Sequence, residues 1–200
     1  MPALTNNLQV RFGGEAGQGV ESGGAGFSKA VVRAGLHCFG LQDYMSRIRG
    51  GHNFFQVRVA DHPLYVFDDT LHLLLAFNAE TVEVHANDVV EGGGVLHDSA
   101  IRVPADKLAE RGVHDFVLPL TKIAEEQGGQ KIMMNTAAIG AMAGLTDFEF
   151  EWIANVIESN FKRKGAAAVE GNLKVAEYAY KQAQDTYGDD FRWKLQAQPG

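Results

Sequence analysis

The chain has almost no cysteine. With Cys38 as the single thiol in 200 residues, there is no intrachain disulfide, no CxxC redox pair and no ligand set for a thiolate-bound iron–sulfur cluster. Long apolar runs are also missing. None approaches the roughly 20 residues that span a bilayer, and residues 1–9 lack the basic-then-apolar form of a secretion signal, so the cytoplasm is the expected compartment. Basic residues are the minority, with 18 Lys and Arg against 25 Asp and Glu and a formal net charge of -7. A phosphate polymer attracts clustered cations, so nucleic acid is not an expected partner. No basic amphipathic run suggests a membrane surface. The seven histidines are scattered, and neither an HExxH motif nor a Cys/His set argues for a metal.

What is present is apolar substance and glycine. Hydrophobic residues make up 46% of the chain and there are 23 glycines, enough for one sizeable core. The reading is one domain over residues 1–190, followed by residues 191–200 as an aperiodic linker towards a further domain, ending on Gln198-Pro199-Gly200.

Residues 8–12 alternate as a short strand and run into Gly13-Gly14-Glu15-Ala16-Gly17-Gln18-Gly19, after which residues 20–34 have helical spacing and stop at Gly35. A strand, a glycine loop and a helix open many ligand-binding α/β folds. Gly23, Gly24 and Gly26 inside that helix each cost about 1 kcal/mol against Ala, which close packing on a sheet or ligand would offset. Strands are expected at 37–41, 53–59, 71–77, 95–97 and 113–118. Residues 64–67 should pair back on 53–59 as a hairpin after the Asp61-His62-Pro63 turn, and Gly92-Gly93-Gly94 should form a turn. Residues 71–77 are apolar enough for a central strand buried on both faces. Helices are expected at 79–86, 120–127, 135–143, 149–162 and 172–185. The fold class is therefore a Rossmann-like open α/β sheet flanked by helices, with a helical C-terminal portion.

The glycine loop suits an anion, because the first amides of a helix lack intrahelical partners and its dipole is positive there. The Walker A pattern fails, since Val20 and Glu21 stand where Lys and Ser or Thr are needed. The dinucleotide fingerprint fails too: from Gly14 the order is G-x-x-G-x-G, and from Gly17 the third site is Ser22. Glu15 and Glu21 add negative charge beside the loop. A ligand-free tight turn and a ligand site both remain open on these letters.

A second constellation, Tyr44-Met45-Ser46-Arg47-Ile48-Arg49-Gly50-Gly51-His52-Asn53, sets two guanidiniums beside a double glycine in an acidic chain. Arginine matches phosphate through its planar fork. His52 could serve as acid, base or donor, but without a partner in the sequence it reads first as a structural polar residue. Asp68-Asp69 reads as a solvated turn, not a Mg²⁺ site. Asn78 and Asn135 stand where open sheets bind ligands, and also where helices are capped.

In order, GGEAGQGV, YMSRIRGGHNFFQVRV, LLLAFNAET, VVEGGGVLHDS and NTAAIGAMAGL resemble the γ domain of 2-oxoacid:ferredoxin oxidoreductases, over residues 8–172. The nearer likeness is to the form fused at the N-terminus of the α subunit in 2-oxoglutarate:acceptor oxidoreductases. The resemblance implies a thiamine-diphosphate enzyme, with Mg²⁺, that decarboxylates a 2-oxoacid, passes electrons through [4Fe-4S] clusters to ferredoxin and forms an acyl-CoA. It implies that this chain helps bind coenzyme A and packs against catalytic α and β domains in a dimer of heterodimers, while other domains hold thiamine diphosphate and the clusters. Carried over by motif position, Gly14, Ala16, Gly17, Gln18 and Gly19 would lie along the coenzyme cleft, Arg47 and Arg49 would face its phosphates, and Asn135 its polar arm or base. The competing expectation is a packing module with no small-molecule site.

Overall fold

The computed structural model describes residues 3–43 and 51–198. In chain order the elements are β1 (Leu4–Thr5), β2 (Asn7–Glu15), α1 (Val20–Arg33), β3 (His37–Asp43), β4 (His52–Ala60), β5 (Leu71–Ala76), α2 (Ala79–His85), β6 (Val89–Asp98) and α3 (Ala105–Glu110). There follow β7 (His114–Leu118), α4 (Leu120–Gly128), α5 (Met134–Leu145), α6 (Phe150–Phe161), α7 (Ala166–Tyr187) and β8 (Trp193–Lys194). The expected open α/β sheet with a helical C-terminal portion is what forms.

Six strands make the main sheet in the order β3-β4-β2-β5-β6-β7. β2, β5, β6 and β7 are mutually parallel, and β4 pairs antiparallel with both β2 and β3. All six residues of β5 are buried, as a strand covered on both faces requires. One face carries α1 and the four C-terminal helices over a core that includes Phe12, Phe27, Phe116, Phe148 and Met142. The other carries α2 and α3 over a smaller cluster around Leu74, Val82, Val95 and Leu108.

Alternation along β2 decides which side chain serves which face. Phe12 packs on Phe27 of α1, whereas Gly13 lies against Thr81 of α2. Two of the three costly glycines of α1 find their compensation on the sheet: a Cβ at Gly24 would fall 2.3 Å from the Phe55 ring, and one at Gly23 would fall 3.3 Å from Phe12, whereas one at Gly26 would meet only Val156 of α6, at 3.7 Å.

Four expectations are corrected. Residues 64–67 form no strand, because β4 already has β2 on one edge and β3 on the other, leaving no edge to pair with. Gly92-Gly93-Gly94 is not a turn but the middle of β6, where a Cβ at Gly94 would sit 2.2 Å from the Phe116 ring. The helix placed at 172–185 begins at Ala166, since residues 166–171, three alanines followed by Val169, Glu170 and Gly171, carry no apolar period yet do not break a helix. The aperiodic residues after 190 pack on the body: Phe191, Trp193 and Leu195 are buried, β8 pairs in parallel with β1, and the Gln198 amide donates to the Ala34 carbonyl at 2.7 Å.

Candidate functional site

The glycine loop is shorter than its letters suggest. Gly13, Gly14 and Glu15 continue β2, paired with Phe54, Asn53 and His52 of β4, so only residues 16–19 link strand to helix. Gly17 and Gly19 have φ of 92° and 89°, a left-handed conformation that costs an L-residue roughly 1–2 kcal/mol. Among the described residues a Cβ at Gly17 would meet nothing within 4 Å. Among the described residues no side chain caps α1, whose N-cap is Gly19.

The loop is fixed from below by Gln18. Its Oε1 accepts from the Glu15 amide at 2.7 Å and from Asn78 Nδ2 at 3.2 Å, and its Nε2 donates to the Phe77 carbonyl at 3.5 Å. Asn78 in turn caps α2, its Oδ1 accepting from the Thr81 amide at 2.9 Å and the Thr81 hydroxyl at 2.8 Å. The capping role of Asn78 is therefore realised, and it ties the loop to the C-terminal end of β5. Ligands of open α/β sheets bind at this edge.

Asn135 reaches the loop from the far half of the chain. It is the second residue of α5, whose N-cap is Met133, so it does not cap the helix. Instead it lies flush on Gly19: a Cβ there would meet the Asn135 side chain, with its own Cβ at 2.9 Å. Behind it, the buried Thr136 hydroxyl donates to Asn172 Oδ1 at 2.9 Å, and Asn172 Nδ2 donates to the Ala168 carbonyl at 2.8 Å. These bonds brace the start of α5 against α7.

A cleft of about 420 Å³ opens over the loop, lined by Ala16, Gly17, Gly19, Ser22, Gln42 and Asn53 among others. A neighbouring groove of about 470 Å³ between α1, α5 and α6 shares Glu21 and Ser22 with it and includes Asn135. Of the candidate residues, Ala16, Gly17, Gly19 and Asn135 thus come together. Gln18 is turned inward as a brace, and Gly14 is buried in β2 beneath it, where a Cβ would fall 2.7 Å from Gln18 Oε1. Arg47 and Arg49 lie outside the described residues. Gln42 was not named from the sequence, Asn53 only as the last residue of the arginine segment and Ser22 only as the mismatch in the dinucleotide fingerprint. Their only signal there was adjacency to the two motifs.

His52 takes another direction. Paired with Glu15, it faces α2, away from the cleft, and its Nε2 lies 2.6 Å from His85 Nε2. Arg11 donates to His85 Nδ1 at 2.8 Å, so His85 carries its proton on Nε2 and donates it to His52. That leaves the proton of His52 on Nδ1, a buried donor with no partner among the described residues. Burial pushes the His85 pKa down to about 4, helped by the Arg11 charge, and burial likewise lowers that of His52. Both rings are neutral at pH 7. Residues 52 and 85 share no motif, so the pair could not be seen before folding. Among the described residues no three His, Cys, Asp or Glu side chains gather to hold a metal ion, and no helix is long and apolar enough to cross a membrane.

Comparison with known proteins bears on this site. A family model described as pyruvate ferredoxin/flavodoxin oxidoreductase matches residues 9–182. Ketoisovalerate oxidoreductase subunit VorA of Methanothermobacter marburgensis is 31% identical over 173 residues, covering 85% of this chain and 35% of the relative. The 2-oxoglutarate synthase subunit KorC of Methanothermobacter thermautotrophicus is 31% identical over 143 residues, 69% of this chain and 76% of the relative. Among solved structures, a 2-oxoglutarate:ferredoxin oxidoreductase from Magnetococcus marinus with 2-oxoglutarate, coenzyme A and succinyl-CoA bound superposes with a TM-score of 0.88 at 25% identity. That match covers 97% of this chain and 34% of the other. The chain thus spans about a third of the length of the VorA relative and of that solved chain.

Proposed function

The chain belongs to the pyruvate ferredoxin/flavodoxin oxidoreductase family, and we propose that it is the γ domain or subunit of a thiamine-diphosphate-dependent 2-oxoacid:ferredoxin oxidoreductase acting on 2-oxoglutarate. Its own share of the reaction is to hold part of coenzyme A and to pack against the catalytic α and β domains. The observation that carries this reading is the meeting of the glycine loop with Asn135 at the C-terminal edge of the sheet, beside a cleft of about 420 Å³. The bound ligands of the Magnetococcus marinus enzyme support the choice of coenzyme.

The residues fit such a ligand. Among the described residues, Gly17 offers backbone with no side chain within 4 Å of its Cβ position, Asn135 offers an amide, and the start of α1, which no side chain caps, offers N–H donors. Arg47 and Arg49 would face the diphosphate. Coenzyme A, when bound, supplies the thiol that accepts the acyl group. The chain's contribution is to bind and orient it, with Gln18 and the Thr136–Asn172 bond keeping loop and helix in register. Thiamine diphosphate, Mg²⁺ and the [4Fe-4S] clusters would be held by the other domains, and ferredoxin would dock on the whole assembly, a dimer of heterodimers.

In the assembled enzyme, Asn135→Ala and Arg49→Ala should each raise the KM for coenzyme A about tenfold, the loss of one polar or charge-assisted contact. The KM for the oxoacid should stay within about twofold. An unchanged coenzyme constant in both variants would overturn the assignment. A packing module without a ligand is favoured by one observation, the inward brace of Gln18, which closes the turn without any ligand. Under that reading the same variants weaken subunit assembly and leave the coenzyme constant alone.

A further inference from the structure

Charge is divided along α1. Glu15 stands just before the loop and Glu21 in the first turn of the helix, so the loop end of the cleft carries two carboxylates. Eight residues beyond Glu21, about 12 Å along the axis at 1.5 Å per residue, Lys29 lines the neighbouring groove, and Lys164 lines it too, from the end of the α6 segment. Between them the groove is floored by Ile139, Ile153, Ile157 and Phe161. The Lys164 ammonium sits 5.1 Å from the centre of the Phe161 ring. Among the described residues neither lysine has a carboxylate partner, although Lys122, Lys174 and Lys181 of the helical portion do. In a chain with a formal net charge of -7, two ammoniums lining one half-apolar groove, neither with a carboxylate partner among the described residues, form a local exception.

Groove and loop cleft share Glu21 and Ser22 and so make one continuous track. It runs from carboxylates, over an aliphatic and aromatic floor, to ammoniums. We propose that the groove seats the 3′-phosphoadenosine end of coenzyme A, with the 3′-phosphate between Lys29 and Lys164 and the adenine on Ile157 and Phe161. The phosphate monoester carries close to two negative charges, so the lysines attract it to their end of the groove, while the Glu15 carboxylate disfavours it at the loop. The flat base finds an apolar and aromatic surface of matching character. The loop, with its carboxylates, is left to the uncharged arm that ends in the thiol. This inference rests on the coenzyme reading above. It adds the direction in which the molecule lies and names two residues that select for the 3′-phosphate.

The test compares coenzyme A with dephospho-coenzyme A, which lacks only the 3′-phosphate, in the assembled enzyme. Wild type should show a KM for the dephospho form about tenfold higher, the loss of charge-assisted contacts at a partly exposed site. In the Lys29→Ala/Lys164→Ala double variant the two constants should converge, the coenzyme A value rising to meet the other. The Lys29→Arg/Lys164→Arg variant should keep the discrimination. Equal constants in wild type, or discrimination retained in the double alanine variant, would overturn the placement. Asn135→Ala separates the two levels of failure. If it raises the coenzyme A constant while the lysine variant keeps its discrimination, only the placement is wrong; if neither variant moves either constant, the coenzyme reading itself has failed.

Discussion

Adding one methyl group at Gly140 should loosen the scaffold that brings Asn135 to the loop. α5 and α7 approach so closely there that a Cβ on Gly140 would lie 2.1 Å from the Ala176 carbonyl oxygen and 2.8 Å from its Cα. Heavy atoms in contact keep about 3.5 Å apart, so the helices must separate by more than 1 Å, and a helical carbonyl cannot swing aside as a side chain can. Overpacking of this kind costs about 1–3 kcal/mol, occasionally more, while Ala returns about 1 kcal/mol of helix propensity over Gly. With backbone as the obstacle the upper end applies, so Gly140→Ala should be net destabilising by roughly 2 kcal/mol. Gly171→Ala in α7 is the control. Its nearest neighbour would be the flexible Met133 Cε at 3.6 Å, so the same change should stabilise by about 0.4–1 kcal/mol. Urea unfolding read through the midpoint at constant slope measures both. Opposite signs are expected, and a Gly140→Ala protein as stable as wild type would refute the close α5–α7 packing.

Acid should weaken the fold in a defined window. Burial holds the His72 pKa down to about 4 from an ordinary 6.5, with its Nδ1 accepting from the Gln9 amide and its ring stacked on Trp193; His85 is depressed in the same way. The unfolded chain takes up these protons first, so their contribution is complete above about pH 6.5, is lost progressively down to about pH 4, and amounts to roughly 3 kcal/mol for His72. An unfolding midpoint that stays flat across that range would contradict it. Phe191→Ala removes a fully buried ring that packs on Phe116 and Trp193 and should cost about 3–5 kcal/mol. A loss under about 1 kcal/mol by the same unfolding measurement would mean that the chain after residue 190 is only a tail. Gly19→Ala combines left-handed strain with collision against Asn135. It should destabilise by at least about 1–2 kcal/mol and raise the coenzyme A constant in enzyme assays, and a variant neutral in both readouts would count against the loop geometry.

The sequence was most legible where one local rule governed. The apolar run of β5, the glycine exit into α1 and the spacing of α6 each identify their element, because periodicity and turn chemistry act within a few residues. It was least legible where long-range pairing decided. Residues 64–67 have strand-forming side chains, yet β4 had no free edge for them. Gly92-Gly93-Gly94 looks like a turn until Phe116 is seen lying against it. The end of the chain has no period because its buried residues, Phe191, Trp193 and Leu195, insert singly into a core built by others. The site divides in the same way. Ala16, Gly17, Gly19 and Asn135 could be chosen from motifs, whereas Gln18 as a brace, the His52–His85 pair and the Lys29–Lys164 groove exist only once distant segments meet.

The most direct measurement is a crystal structure of the assembled enzyme with coenzyme A. The account predicts coenzyme density along residues 16–19 and against Asn135. Density remote from both, with the cleft filled instead by side chains of a partner domain, would contradict it.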